Sequence, residues 1–189
     1  MGKVSKTLIA IIAVILILIV PIISGYNKII SLEQKVETVE ANIDTELQRR
    51  NDLIPNLVNT VKGYASQESE VIGNVVEARA KLGGAKTVED RANADAELSS
   101  ALSRLLVVVE RYPELKSNQN FRDLTVALEG TENRIKIARQ DYNNAVSEYN
   151  TTIRRFPNSI VARIFGFDEK QYYKAAEGAK EVPKVDFTK

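Results

Sequence analysis

Most side-chain chemistry runs through groups that titrate, attack or ligate metals, and this chain offers a narrow set of them. It contains no histidine, cysteine or tryptophan. Cysteine nucleophiles, Ser-His triads and zinc sites built on imidazole or thiolate are therefore absent. There is no Gly-rich phosphate loop, nucleophile elbow or Walker-type lysine. What remains is a pattern of carboxylates, guanidiniums and amides. With Glu132 at angle zero on a helix of about 100° per residue, Arg139, Asn143 and Asn150 fall within roughly 20° of it. They run along the shoulder of the apolar stripe Leu124, Leu128, Ile135, Tyr142, Val146 and Ile153. Glu68 and Arg79 likewise share a face, in the middle of the stripe Leu57, Val61, Ile72 and Val75.

A charge on an apolar face needs a partner. The pattern predicts a structural polar network in which Glu68 and Arg79 pair with Arg139 and Glu132 across two neighbouring helices. Such pairs add little net stability but can fix register. A bundle-core metal site of the di-iron kind needs several carboxylates plus Glu-x-x-His pairs, and the histidines are missing. A polar binding cleft is the remaining alternative. The expectation is no catalytic residue, no cofactor and no metal.

The elements that must position these residues are helices. From Tyr26 the apolar residues step by three and four through Leu32, Val36, Val39, Ile43 and Leu47, and the stepping resumes at Leu57, Val61, Ala65, Ile72, Val75 and Leu82. Gly83-Gly84 ends that run. Thr87, with Asp90 three residues on, forms a weak capping box for a third helix through Leu98, Leu102, Leu105 and Val109. That helix stops at the Tyr112-Pro113 turn. A fourth opens near Asn118 or Asn120 and runs to Arg155, where Phe156-Pro157 breaks it.

Pro55 is the ambiguous position. A proline in a helix interior costs about 3 kcal/mol or more. As one rod, residues 26–82 would extend about 85 Å, the third helix would return about 35 Å, and the fourth would overshoot. A reversal at Asn51–Pro55 instead gives four helices of about 25, 28, 25 and 38 residues that can pack up-down-up-down, with Asp52 as N-cap and Pro55 in the first turn. The turn is favoured over the kinked rod. The fold class expected is all-α: an N-terminal transmembrane helix followed by an antiparallel up-down four-helix bundle.

Leu8–Ile23 is apolar and uncharged, and with its neighbours reaches about 20 residues, enough to cross a bilayer. Ile23-Ser24-Gly25 is a poor cleavage site, so an uncleaved single-pass anchor is expected. Lys3 and Lys6 precede the span while Lys28 and Lys35 follow it, which favours a cytoplasmic N-terminus and a body outside the cytoplasm. The chain carries a net charge of +1 with mixed signs. That balance does not predict nucleic-acid binding, which uses a basic stripe. The predicted contacts are membrane lipid through the first helix, and a protein partner or self-association through the body.

Four stretches follow: an anchor at 1–25, a helical bundle at 26–157, a short apolar-basic segment at 158–175, and a loose tail at 176–189. The third contains Ile160, Val161, Ile164, Phe165 and Phe167 in a basic neighbourhood of Arg154, Arg155, Arg163, Lys170 and Lys174 against Asp168 and Glu169. It could dock on lipid or plug the open end of the bundle. The function expected is that of a non-enzymatic membrane-anchored scaffold, which rests on the anchor, the bundle and the missing catalytic constellation; lipid docking by this segment would instead suit a membrane-remodelling or lattice-forming protein.

The run from Arg50 to Val58, then Val61–Ala65 and Glu68, resembles the signature of the LemA family of bacterial membrane proteins. So do Tyr112-Pro113-Glu114-Leu115-Lys116, the set Glu132, Arg139, Tyr142-Asn143 and Tyr149-Asn150, and the closing Phe156-Pro157. The resemblance covers the anchor and residues 26–167. It implies a single-pass segment and a four-helix bundle, and it brings no reaction. Pro55, Tyr112 and Asn143 carry over as motif positions only.

Overall fold

The computed structural model describes residues 2–174, with the side chains of residues 2–7, Val14 and Leu18 excepted. The predicted tail at 176–189 lies outside the described residues. Every element among them is a helix: α1 (Gly2–Tyr64), α2 (Ser69–Gly84), α3 (Val88–Val109), α4 (Pro113–Ser117), α5 (Gln119–Arg154) and α6 (Asn158–Phe165). The described residues form two compact units. One takes residues 2–41 and 140–171, the other 42–139 and 172–174, so α1 and α5 contribute to both.

In the first unit α1 presents Leu8, Ile11, Ile15, Ile19 and Ile23 to the surroundings, in a stretch long and apolar enough to cross a membrane. Beyond it the helix buries Ile29, Leu32 and Val36 at steps of three and four. α5 buries Tyr142, Val146, Tyr149 and Ile153 at the same steps. Lys35 of α1 pairs with Glu148 of α5 at 2.7 Å. After Pro157 the chain forms α6, which ends on Gly166 at φ 73°, a left-handed position that glycine adopts without strain.

In the second unit side chains link neighbouring helical segments. Arg79 of α2 reaches back to Asn51 of α1, Lys81 of α2 pairs with Glu97 of α3, and Arg134 of α5 pairs with Glu46 of α1. The core between them is Ile43, Leu47, Ile54, Leu57, Ile72, Val75, Leu98, Leu105 and Ile135. Thr87 and Asp90 do form a capping box at the start of α3. Asn118 Oδ1 accepts from the backbone N–H of Phe121 at the start of α5, where the sequence placed that helix.

The turn expected at Asp52 and Pro55 is not there. α1 passes through both residues and ends at Tyr64, and the reversal lies at 65–68. The missing N–H of Pro55 should orphan the carbonyl of Asn51, its partner four residues back. Arg79 Nε donates to that carbonyl at 3.0 Å. A side chain from α2 thus supplies the hydrogen bond that the proline cannot, and the helix continues. Tyr112 and Pro113 do lie in a turn: Tyr112 is the N-cap of α4 and Pro113 its first residue.

Candidate functional site

Among the described residues the buried charges lie in the second unit. Asp95 of α3 is 0% exposed and Arg50 of α1 only 4%. Arg50 Nη1 donates to Asp95 Oδ1 at 2.5 Å and lies 2.8 Å from Glu132 Oε2 of α5. Its Nη2 donates to Ser99 Oγ at 3.0 Å, and Ser99 in turn donates to the Asp95 carbonyl at 2.9 Å. Arg139 of α5 pairs with the other oxygen of Asp95. The Arg139 guanidinium also lies over the ring of Tyr173, 4.9 Å from its centroid. Two guanidiniums thus face two carboxylates, and the node is neutral. Burial lowers the pKa of both Arg50 and Arg139 from the usual arginine value, with Glu132 opposing that shift at Arg50 and the Tyr173 hydroxyl at Arg139. The same burial raises the Tyr173 hydroxyl.

Sequence reasoning found Glu132 and Arg139 and missed Arg50 and Asp95. The signal existed. Ile43, Leu47, Arg50, Ile54, Leu57 and Val61 step by four and three, as do Asp95, Leu98, Leu102, Leu105 and Val109. Both charges occupy core positions of their helices.

The expected pairing of Glu68 and Arg79 with Arg139 and Glu132 is not what forms. Glu68 is the residue before α2, at the reversal, and not in the middle of a helix. Its Oε1 accepts from Tyr112 Oη at 3.0 Å and pairs with Arg111 at 2.9 Å, joining the turn after α1 to the turn after α3. That hydrogen bond holds the Tyr112 hydroxyl above the usual tyrosine value. Asn118 Nδ2 donates to Tyr64 Oη at 3.0 Å at the same turns. Arg79 serves the Pro55 backbone.

Asn143 and Asn150 belong to the first unit. Asn143 is half-buried on α5. Asn150 is buried and clamps the chain that follows α6: its Nδ2 donates to the Lys170 carbonyl and its Oδ1 accepts from the Lys170 N–H, both at 2.9 Å. Lys170 Nζ pairs with Glu33 at 2.7 Å, which holds the ammonium pKa above the usual lysine value. Tyr142 Oη donates to the next carbonyl, that of Gln171, at 2.9 Å.

The chemistry open to the buried node is limited. Asp95 meets a guanidinium at each oxygen, which leaves it poorly suited to accept a substrate proton. Its neighbours include no nucleophile activated by a base. Among the described residues no cluster of three carboxylates could hold a metal. Beside the node an open cleft of about 300 Å3 is lined by Leu57, Leu102, Leu106 and Leu128, with Arg50 and Glu132 at its edge. Leu106, Val107 and Val126 are exposed nearby in sequence on α3 and α5. This unit therefore offers buried ionic order inside and apolar surface outside.

The chain is 27% identical over 199 residues to magnetosome protein MamQ 2 of Paramagnetospirillum magneticum, covering 92% of this chain and 73% of that protein. To magnetosome protein MamQ of Magnetospirillum gryphiswaldense it is 26% identical, over 82% and 66% of the two chains. Protein LemA of Metamycoplasma hominis is 21% identical, over 85% and 72%. The LemA family matches residues 39–187, most of the chain, and the protein belongs to that family.

Proposed function

We propose that this protein is a non-enzymatic, single-pass membrane scaffold whose helical body makes protein contacts at the membrane. The observation that carries the reading is α1 itself. One helix holds the apolar span and, with Arg79 restoring the bond lost at Pro55, continues into the core that contains the Arg50–Asp95 node. In this reading residues 42–64 of α1, α2, α3 and residues 119–139 of α5 act as a four-helix bundle, with buried charges setting register in place of catalysis. The positive residues Lys3 and Lys6 favour a body outside the cytoplasm. The exposed Leu106, Val107 and Val126 support contacts with a partner protein or another copy.

The test uses full-length protein in its own membrane. A photo-crosslinking residue at Val107 should give a discrete protein adduct, and Val126→Lys should reduce it. A cysteine at Gly84 should react with an impermeant thiol reagent in intact cells. No adduct from Val107, Leu106 or Val126 in inserted protein would overturn the scaffold reading, and labelling of Gly84→Cys only after lysis would reverse the orientation.

A further inference from the structure

The apolar-basic segment after Pro157 has a defined place. Gly25 lies two residues beyond Ile23, the last of the apolar span, and a Cβ there would lie 2.8 Å from Asn158 Oδ1 and 3.3 Å from Val161 Cγ2. α6 therefore rests against α1 just past the end of the span. Tyr26, the next residue, packs on Phe165 at 4.8 Å and Phe167 at 5.7 Å between ring centroids. Val161 is buried at this seat, and Ala162 is buried as well. If the segment only closed the end of a bundle, its other large apolar residues would be buried too. They are not: Phe156 is 81% and Ile164 62% exposed, and Ile160 and Phe165 are also exposed.

On a helix of about 100° per residue, Ile160 and Ile164 lie about 40° apart and about 60–100° from Val161. They form a separate face, flanked by Arg163. Arg155 and Arg163 are exposed, while Arg154 is engaged by Glu169 at 2.6 Å and Asp168 is exposed beside it. A short helix with one face seated on an anchor, a second face apolar, and cations at its rim suits the headgroup layer of a bilayer.

We propose that α6, with Phe156, is a second membrane contact. It lies in the interface of an anionic bilayer beside the exit of α1, with Ile160, Ile164 and Phe156 among the acyl-chain ends and Arg155 and Arg163 at lipid phosphates. The occupant is lipid because the patch is continuous with the span and because its rim is cationic. This inference rests on the anchor reading of α1 and adds a site to it.

The test takes advantage of a chain without cysteine. Full-length protein carrying one cysteine at Ile17, Ile160, Ile164 or Ser147 is labelled with a small fluorophore. It is then reconstituted in phosphatidylglycerol-containing vesicles with brominated acyl chains. Labels at Ile160 and Ile164 should be quenched several-fold more than the label at Ser147, an exposed site further along α5. Quenching there should weaken in phosphatidylcholine, at high salt, or with Arg155→Gln and Arg163→Gln, while Ile17 stays quenched throughout. Ile160→Ser with Ile164→Ser should leave helicity and melting unchanged, since both side chains are exposed. Quenching at Ile17 with none at Ile160 or Ile164 overturns this proposal and leaves the anchor intact. No quenching at Ile17 overturns both. Labels at Ile160 and Ile164 that become buried only as protein density rises, without quenching, assign the patch to self-association and overturn the lipid contact.

Discussion

The hydrogen bond from Arg79 Nε to the Asn51 carbonyl makes a prediction that separates a backbone repair from an ordinary surface contact. Replacing Arg79 by Met keeps much of the aliphatic stem and removes the donor. The Asn51 carbonyl, whose helical donor is absent because residue 55 is proline, then loses its partner, at a cost of about 1–3 kcal/mol. Pro55→Ala restores the N–H four residues on, so the carbonyl regains a donor from its own helix. In that background Arg79→Met should cost little, giving a coupling of about 1–2 kcal/mol across the double-mutant cycle. The two units need not unfold together, so a global melt is a poor readout. Amide exchange resolved to residues 69–109, in full-length protein in bicelles, reports the stability of α2 and α3 directly. An equal cost for Arg79→Met with and without Pro55 would refute the repair.

Three further outcomes follow from other contacts. Asp95→Asn leaves the buried Arg50 and half-buried Arg139 guanidiniums facing one partly exposed carboxylate and should destabilise the second unit by about 3–5 kcal/mol, far more than Glu132→Gln, by the same exchange measurement. Gly25→Val should displace α6 through its clash with Val161 and Asn158, read as lost contacts between Tyr26 and Phe165 in aromatic NMR cross-peaks. Glu33 raises the pKa of Lys170, so the stability from that pair is complete below the unfolded lysine value and is lost as pH rises through the folded one. Protection of residues 168–171 should fall on the alkaline side, and Lys170→Met should abolish that pH dependence, while Asn150→Ala should open the segment at every pH.

Helix ends that carry glycine or proline were legible. Gly84 closes α2, Pro113 opens α4, and Phe156-Pro157 follows the end of α5. The reversal at 65–68 contains neither residue type. Its sequence signal is the seven-residue gap between Ala65 and Ile72, where Glu68 and Ser69 take the intermediate step, whereas Ala78 fills the equal gap between Val75 and Leu82. Pro55 drew the turn to itself because a lone proline in a helix lacks a backbone donor. The donor that compensates sits 24 positions later in the chain, on another helix, and no local pattern announces it.

That misplaced turn also hid the ion node. With the first helix ended at Asn51, Arg50 read as a terminal residue, although it occupies a core step between Leu47 and Ile54. On α3 the stripe was begun at Leu98, and extending it back by one step reaches Asp95. In a packed set of helices, a charge at a core step is an address. Arg50, Asp95, Glu132 and Arg139 come from three helices, and each carboxylate meets a guanidinium from another helix. Sliding one helix by a turn against the others would bury at least one of these charges alone, at a cost of several kcal/mol, whereas an all-leucine core would tolerate the slip. The helix whose register is held this way is α1, which also carries the apolar span. Arg50, its buried charge, therefore acts on alignment: it fixes which residues of α1 meet α3 and α5.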